Sequence, residues 1–195
     1  MKRRTAIAAL STAALLAWWP AAGTADIIDV LRVGVEPSAD GESWQLSADF
    51  ALVLNPQLEE AVSRGVSLTF LVEFEMTRPR WYWWDDRTTA ATQTHRLSYH
   101  ALTRQYRVLL NGVPASFPSL AEALDAMSRL RGWRVMPRDR TRPGITYDGW
   151  LRLRLDTGQL PRPLQITALT NRDWTPQSEW KRFAIPPPET PRSAP

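Results

Sequence analysis

A chain of 195 residues with 44% hydrophobic side chains can bury the core of one domain of ordinary size. It contains no cysteine, which excludes disulfides, thiolate metal sites, a cysteine nucleophile and a lipid-modified cysteine. Of its 24 Lys and Arg, three lie at the N-terminus, and the remaining 21 against 20 Asp and Glu leave a net charge of about +1, so no nucleic-acid partner is expected.

Residues 1–25 have the pattern of a secretory signal peptide. The second to fourth residues are basic, an uncharged run rich in alanine and leucine follows, and Pro20 and small residues lead to Ala25. We therefore expect cleavage after Ala25 and a periplasmic or secreted mature protein. An uncleaved membrane anchor is the alternative, because the uncharged run approaches the ~20 residues of a spanning helix.

Alternation of apolar and polar residues predicts several half-buried strands. An opening strand is expected at 27–35, a second at 44–54, and the clearest one at 66–76, whose even-numbered residues should face the core. Further strands are predicted at Thr92 to Tyr99, Gln105 to Leu110, Trp133 to Met136 and Ile145 to Leu155, and from Leu164, Ile166 and Ala168.

Two helices are predicted from their capping residues. Asn55 is expected to cap a short helix at about 56–64, with proline at its first position. Ser119 begins a capping box, which predicts a helix at about 119–131 that ends at Gly132.

These elements predict a mainly β fold. The expected form is an antiparallel two-sheet β-sandwich of immunoglobulin-like architecture with one or two inserted helices. The single domain should span 26–185. Half of the residues in 186–195 are proline and no apolar periodicity is present, which predicts a disordered or extended tail.

The segment RPRWYWWDD, residues 78–86, raises the main functional question. In an extended chain Trp81 and Trp83 face away from Tyr82 and Trp84, so these rings cannot all be core. Both faces could be covered by protein, with arginine stems on the outer rings. The functional alternatives are a stacking platform for a sugar or a protein, and an aromatic anchor at a membrane interface.

Two more tryptophans lie in NRDWTPQSEW, and we expect them to approach this segment and extend one surface. The predicted ligand or partner surface consists of Arg78, Arg80, Trp81, Trp83, Trp84, Asp85, Asp86, Trp174 and Trp180.

Catalytic and metal-binding patterns are weak. Glu73 and Glu75 share a strand face about 7 Å apart, a spacing found in inverting glycosidases but also on any polar strand face. His95 and His100 face opposite ways on one strand, and His95 is expected to be a hydrogen-bonded core residue. No motif for zinc, calcium or a nucleotide is present. We expect no enzyme, cofactor or metal; a hydrolase using Glu73 or Asp85 is the most distant alternative.

Four runs of the sequence are distinctive: FEMTRPRWYWWDD from Phe74, LSYHALTRQYRV from Leu97, LRLRLDTGQLPRPLQITAL from Leu151 and NRDWTPQSEW from Asn171. They resemble a bacterial family, domain of unknown function 4390, over about 28–183. The resemblance implies an exported proteobacterial protein, often encoded beside a membrane sensor histidine kinase, and brings no activity, substrate or catalytic residue with it.

These observations predict a non-enzymatic interaction module of the bacterial envelope. An envelope protein is the expected partner, and a membrane sensor is the candidate that the resemblance implies. The alternative is a module that binds glycan or peptidoglycan through exposed Trp, Arg and Asp residues. Peripheral contact with a membrane also stays open.

Overall fold

The computed structural model describes residues 28–78 and 86–188, with the backbone alone for 86–88. The predicted signal peptide, residues 79–85 of the aromatic segment and residues 189–195 of the predicted tail lie outside the described residues. The described residues form two antiparallel sheets, and this mainly β two-sheet fold confirms the predicted class.

The two sheets differ in width. The narrow sheet consists, in order, of β1 (Ile28–Pro37), β2 (Ser43–Leu52) and β7 (Arg129–Pro137). The wide sheet consists, in order, of β6 (Val113–Phe117), β5 (Gln105–Leu110), β4 (Asp86–His100), β3 (Leu68–Arg78), β8 (Tyr147–Leu155) and β9 (Lys181–Ile185). Within the described ranges three α-helices accompany them: α1 (Pro56–Ser63), α2 (Leu120–Met127) and α3 (Arg162–Thr170).

The core lies between the inner faces of the two sheets. Leu68, Phe70, Val72, Phe74 and Met76 of β3 are all fully buried, so the predicted inward direction of the even-numbered residues is confirmed. The ring of Phe74 meets Trp133 of β7 edge-on, with 6.5 Å between ring centroids. Each such ring removes a large apolar area from water, which is the main source of stability for a chain without disulfides.

The predicted cap of α1 is confirmed. Asn55 Oδ1 accepts a hydrogen bond from the Leu58 backbone N–H at 2.9 Å, and Pro56 occupies the first turn. Asn55 Nδ2 also donates to the Asp173 carbonyl at 2.6 Å. One side chain therefore starts the helix and ties it to the segment that follows α3.

We expect Asn55→Ala to lower the free energy of unfolding by about 1 kcal/mol, because one helical N–H loses its acceptor. Asn55→Ser keeps an acceptor at the cap and loses only the donor to Asp173, so it should cost less. Urea unfolding followed by tryptophan fluorescence measures both. Equal stability of Asn55→Ala and the wild type would contradict the capping role.

The second predicted helix is shorter than expected. Its capping box is confirmed, since Ser119 Oγ accepts from the Glu122 N–H at 3.2 Å, but α2 ends at Met127 rather than Arg131. The prediction was wrong for the last turn because Leu130 fits a helical face as well as a strand, and it pairs with Ala48 of β2. Gly132, predicted as the helix stop, lies inside β7 with a φ of +59°, where the pairing with β2 is irregular.

The strand predicted from Leu164, Ile166 and Ala168 is also wrong, because these residues lie in α3. Leu164 and Ala168, four residues apart, pack toward the core, while Ile166 between them is 67% exposed. Proline in the first turn favours a helix start. The second neighbour of β8, besides β3, is instead β9, which the alternation of apolar and polar residues did not predict.

Candidate functional site

The aromatic segment 78–86 connects two neighbouring strands of the wide sheet. Arg78 is the last residue of β3 and is half-buried, and it lies opposite Asp86, the first residue of β4. The remaining predicted members, together with the side chain of Asp86, lie outside the described residues: Arg80, Trp81, Trp83, Trp84 and Asp85. Their role as a surface stays a prediction, and the described part of the site is the sheet face that adjoins them.

A cluster of one carboxylate and two arginines lies at the centre of the outer face of the wide sheet. Glu73 of β3 accepts from Arg152 Nε at 2.5 Å and from Arg154 Nε at 2.9 Å, both on the neighbouring strand β8. Strand alternation places all three side chains outward, because the residues between them belong to the buried inner face. The two arginines share one carboxylate, which fixes the direction of their planar groups.

Two tryptophans stand beside these arginines. The guanidinium of Arg152 lies 4.4 Å from the ring centroid of Trp180, within the range of a cation–π contact. The guanidinium of Arg182, on β9, lies 5.7 Å from the ring centroid of Trp150, its cross-strand partner on β8. Arg182 also pairs with Asp148 at 2.7 Å.

Tryptophan and arginine therefore alternate across β8 and β9 in a checkerboard. We call this surface the Trp/Arg face and define it as Glu73, Asp148, Trp150, Arg152, Arg154, Trp180 and Arg182. Its side chains are held by ion pairs and ring contacts, so little rotamer freedom is left for a ligand to remove.

The Trp/Arg face adjoins the aromatic segment. Trp150 Nε1 donates to Thr77 Oγ1 at 3.2 Å, and Thr77 is the residue before Arg78. Five residue steps along β3 separate Glu73, near Trp180, from Arg78, a distance of about 17 Å. The expected approach of Trp180 to the tryptophans of the segment stays a prediction, because Trp81 and Trp83 lie outside the described residues.

Trp174 does not belong to this surface, and its predicted place there is wrong. It is 7% exposed and packs beside α1 and α3, where it lines a small cavity with Ala61, Val66 and Leu164. This position is at the end of β3 opposite to Arg78, about 33 Å away along the strand. Trp174 is a core residue because the turn of chain after α3 packs back onto α1.

Glu73 is a structural anion and does not have the properties of a catalytic acid. Burial raises the pKa of Glu73, but hydrogen bonds and charge attraction from Arg154 and Arg152 outweigh it and hold the pKa below its ordinary value. A general acid needs the opposite shift, toward neutral pH. The carboxylate therefore stays ionised and orients the two arginines.

Replacing Glu73 by Gln should lower the free energy of unfolding by about 1 kcal/mol, because two partly buried guanidinium groups lose their counter-charge. Glu60→Gln is the matched control, since the Glu60–Arg64 pair is largely exposed and should contribute a few tenths of that amount at most. Urea unfolding in low and high salt measures both. A cost for Glu73→Gln no larger than that of the control would show that the Glu73 cluster adds no more stability than an exposed ion pair.

The two histidines lie in different environments. His95 is fully buried on the inner face of β4, and its Nε2 is 3.1 Å from Gln93 Nε2, so the predicted hydrogen-bonded core histidine is confirmed. Burial lowers the pKa of His95 to about 4, with a small opposing effect from its hydrogen bond to the Met127 backbone. His100 lies at the exposed end of β4, with Nδ1 3.1 Å from Thr103 Oγ1. Within 28–78 and 86–188, no group of three or more His, Asp or Glu side chains is arranged to hold a metal ion.

The sequence identified one described member of the Trp/Arg face, Trp180, as a surface residue and missed the others. Arg152 and Arg154 were visible as the polar phase of an alternating strand, and Glu73 as the polar phase of another. What joins them is the pairing of β3 with β8, which brings together residues almost 80 positions apart in the chain. The sequence did not mark Trp150 as a surface residue by itself, because it shares the alternate positions of its strand with the two arginines.

The fold and the face together define a mainly β, two-sheet protein with an ordered tryptophan and arginine surface on its wider sheet. Residues 25–184 match the family model described as Domain of unknown function (DUF4390), and the chain belongs to this family. Neither the curated proteins nor the solved structures contain a match. Among the helices of the described ranges, none combines the length and the apolar character that crossing a membrane requires.

Proposed function

We propose that this protein is an exported, non-enzymatic binding module of the bacterial envelope that recognises a protein partner through the Trp/Arg face and the adjoining segment 78–86. The observation that carries the proposal is the checkerboard of Trp150 and Arg152 on β8 with Arg182 on β9 and Trp180 directly before β9. Tryptophan and arginine are the residues most enriched at the energetic centres of protein interfaces.

Three features favour a protein over a sugar as the ligand. Each described ring of the face already has an arginine guanidinium near it, which competes with a sugar for stacking. The arginines are held by carboxylates, so the surface presents planar, preorganised donors of the kind that recognise carboxylates and backbone carbonyls. The family resemblance to proteins encoded beside membrane sensor kinases supports a sensor as the partner, and the signal-peptide pattern supports the envelope as the location.

Crosslinking and co-purification from the native envelope test this proposal. We would compare the wild type with Trp150→Ala/Trp180→Ala, with Arg182→Glu, and with Trp81→Ala/Trp83→Ala, after confirming that each variant is folded. Leu102→Ala is the control, because Leu102 is 92% exposed in the turn between β4 and β5 and lies outside the face.

The expected result is one membrane protein that is captured by the wild type and by the control and lost with the face variants. Arg182→Glu is a second kind of test, because it changes a charge and not a ring; its folding is checked in the same way, since the largely buried Asp148 loses its partner. Capture of the same protein by all variants would overturn the proposal. Retention on purified peptidoglycan that the face variants abolish, without a protein partner, would favour the glycan-binding alternative instead.

A further inference from the structure

The narrow sheet leaves part of the wide sheet uncovered. β7 is its last strand, and within the described ranges no strand pairs with the outer edge of β7. The inner face of β5 and β6 extends beyond that edge. Val113 lies on this inner face opposite Leu110, yet it is 68% exposed, whereas Val108 further along the same face is buried.

A cleft of about 610 Å³ occupies this uncovered region. Its floor is formed by Leu110, Val113 and Ala115 of β5 and β6, and one wall is formed by six consecutive residues of β7, Arg129–Arg134. Because side chains alternate between faces, a cleft lined by consecutive residues runs along the edge of the strand. Backbone N–H and C=O groups that a neighbouring strand could pair with are therefore present in the wall.

The charged side chains that line the cleft are all basic. Three arginines line it, Arg129, Arg131 and Arg134, and no carboxylate is among the lining residues. Each arginine has an ion-pair partner outside the lining, namely Asp125, Asp49 and Asp40. All three side chains remain more than half exposed, and a guanidinium with five N–H groups can donate to a second carboxylate.

A side-chain acceptor also belongs to the cleft. Gln93 is 8% exposed and lines it, and its Nε2 lies against His95 Nε2 at 3.1 Å. The His95 ring donates its other hydrogen bond to the Met127 backbone, so Nε2 of the neutral ring accepts, the Gln93 amide is the donor, and its Oε1 points elsewhere. No donor of the described residues reaches this Oε1, and no buried side-chain atom among them lacks a partner, so Oε1 is open to solvent and can accept from a backbone N–H of a ligand.

We propose that this cleft binds an extended acidic segment of another polypeptide, which adds to β7 as a fourth strand of the narrow sheet. Alternate apolar side chains of the segment rest on Leu110, Val113 and Ala115, while its carboxylates face the three arginines. Strand addition to a free sheet edge is an established mode of peptide recognition. The register of β7 against β2 shifts at two points, and such irregularities increase the local twist of a strand. A twisted edge pairs less readily with unrelated strands, so the side chains of the cleft decide which segment binds.

The test uses a blocked peptide of about ten residues with alternating valine and glutamate, titrated into the ¹⁵N-labelled protein and followed by NMR. The same peptide with lysine in place of glutamate is the charge control. We expect saturable shifts at residues 110–115 and 129–134 with the glutamate peptide, weakened by salt. The lysine peptide should bind at least about tenfold more weakly.

Val113→Glu places a negative charge on the floor without disturbing a buried site, and it should weaken binding of the glutamate peptide at least about tenfold. Val53→Glu is the matched control, since Val53 is 62% exposed but lies outside the cleft, and it should bind as the wild type does. No shifts at either stretch, equal binding of the lysine peptide, or unchanged binding by Val113→Glu would each overturn the proposal. Trp150→Ala/Trp180→Ala should retain peptide binding, so failure of this proposal and failure of the Trp/Arg face are distinguishable.

Discussion

We expect the free energy of unfolding to fall by about 2 kcal/mol between about pH 7 and about pH 5, and this fall to be lost in His95→Gln. The cause is the burial of His95 between β4 and the end of α2. A charged imidazole in that position loses its hydration, so the folded protein holds the ring neutral and its pKa drops from 6.5 to about 4.

The direction of this pH dependence follows from the pKa of His95 in the unfolded and in the folded protein. Above 6.5 the ring is neutral in both states, and pH has no effect through this residue. Between 6.5 and about 4 the unfolded chain binds a proton that the folded chain does not, so acid stabilises the unfolded state. Below about 4 both states are protonated and the dependence ends.

His95→Gln is suited to this test because an amide can both accept from Gln93 and donate to the Met127 backbone, yet does not titrate. His100→Gln is the control, since it removes the other imidazole of the chain from the end of β4 rather than from the core, and the fall assigned to His95 should persist in it. Urea unfolding at several pH values in this window measures both, and carboxylates contribute little there because they titrate mainly at lower pH. A His95→Gln protein as acid-sensitive as the wild type would contradict the assignment.

Local sequence patterns predicted the elements whose burial alternates with the same period as their side chains. β3 lies in the middle of the wide sheet with one face against the core, so its strict alternation is the direct result of its environment. The capping residues Asn55 and Ser119 were equally readable, because a cap is satisfied within its own helical turn.

The same patterns failed where distant pairing decides the outcome. Residues after Met127 could continue a helix, but β2 lacks a second neighbour unless they form β7. α3 shows the reverse case, a helix where a strand was predicted. Leu164, Ile166 and Ala168 alternate with polar residues as in a half-buried strand, but they lie in a helix that buries none of its residues fully. Short apolar runs do not distinguish helix from strand, and tertiary contacts make the choice.

The candidate surface could be predicted only in part for a related reason. A concentration of tryptophan marks a segment, as at 78–86, but the Trp/Arg face is built from residues of three strands and from Trp180, which directly precedes β9. Trp150 and Arg182 carry no mutual signal in the sequence, since they meet only because β9 pairs with β8. The Glu73 cluster likewise requires the pairing of β3 with β8.

A single methyl group added at Gly149 should cost about 2–3 kcal/mol of unfolding free energy. Gly149 lies on β8 opposite Phe183 of β9, and the Phe183 ring covers it on the inner face. A Cβ built at Gly149 would lie 2.4 Å from the nearest ring carbon, far inside van der Waals contact, so the ring must move. That ring also packs against Phe74, with 6.3 Å between centroids, and its displacement disturbs the core.

The consequence reaches the Trp/Arg face, because Gly149 lies between Asp148 and Trp150 in the chain. Gly149→Ala should shift the backbone that places both side chains and weaken partner capture as well as stability. A double-mutant cycle with Phe183→Ala separates the causes: without the ring the added methyl group meets open space, and its cost should fall below about 1 kcal/mol. If the two changes were instead additive, the clash would not be the cause, and the role of glycine here would lie in the strand backbone itself.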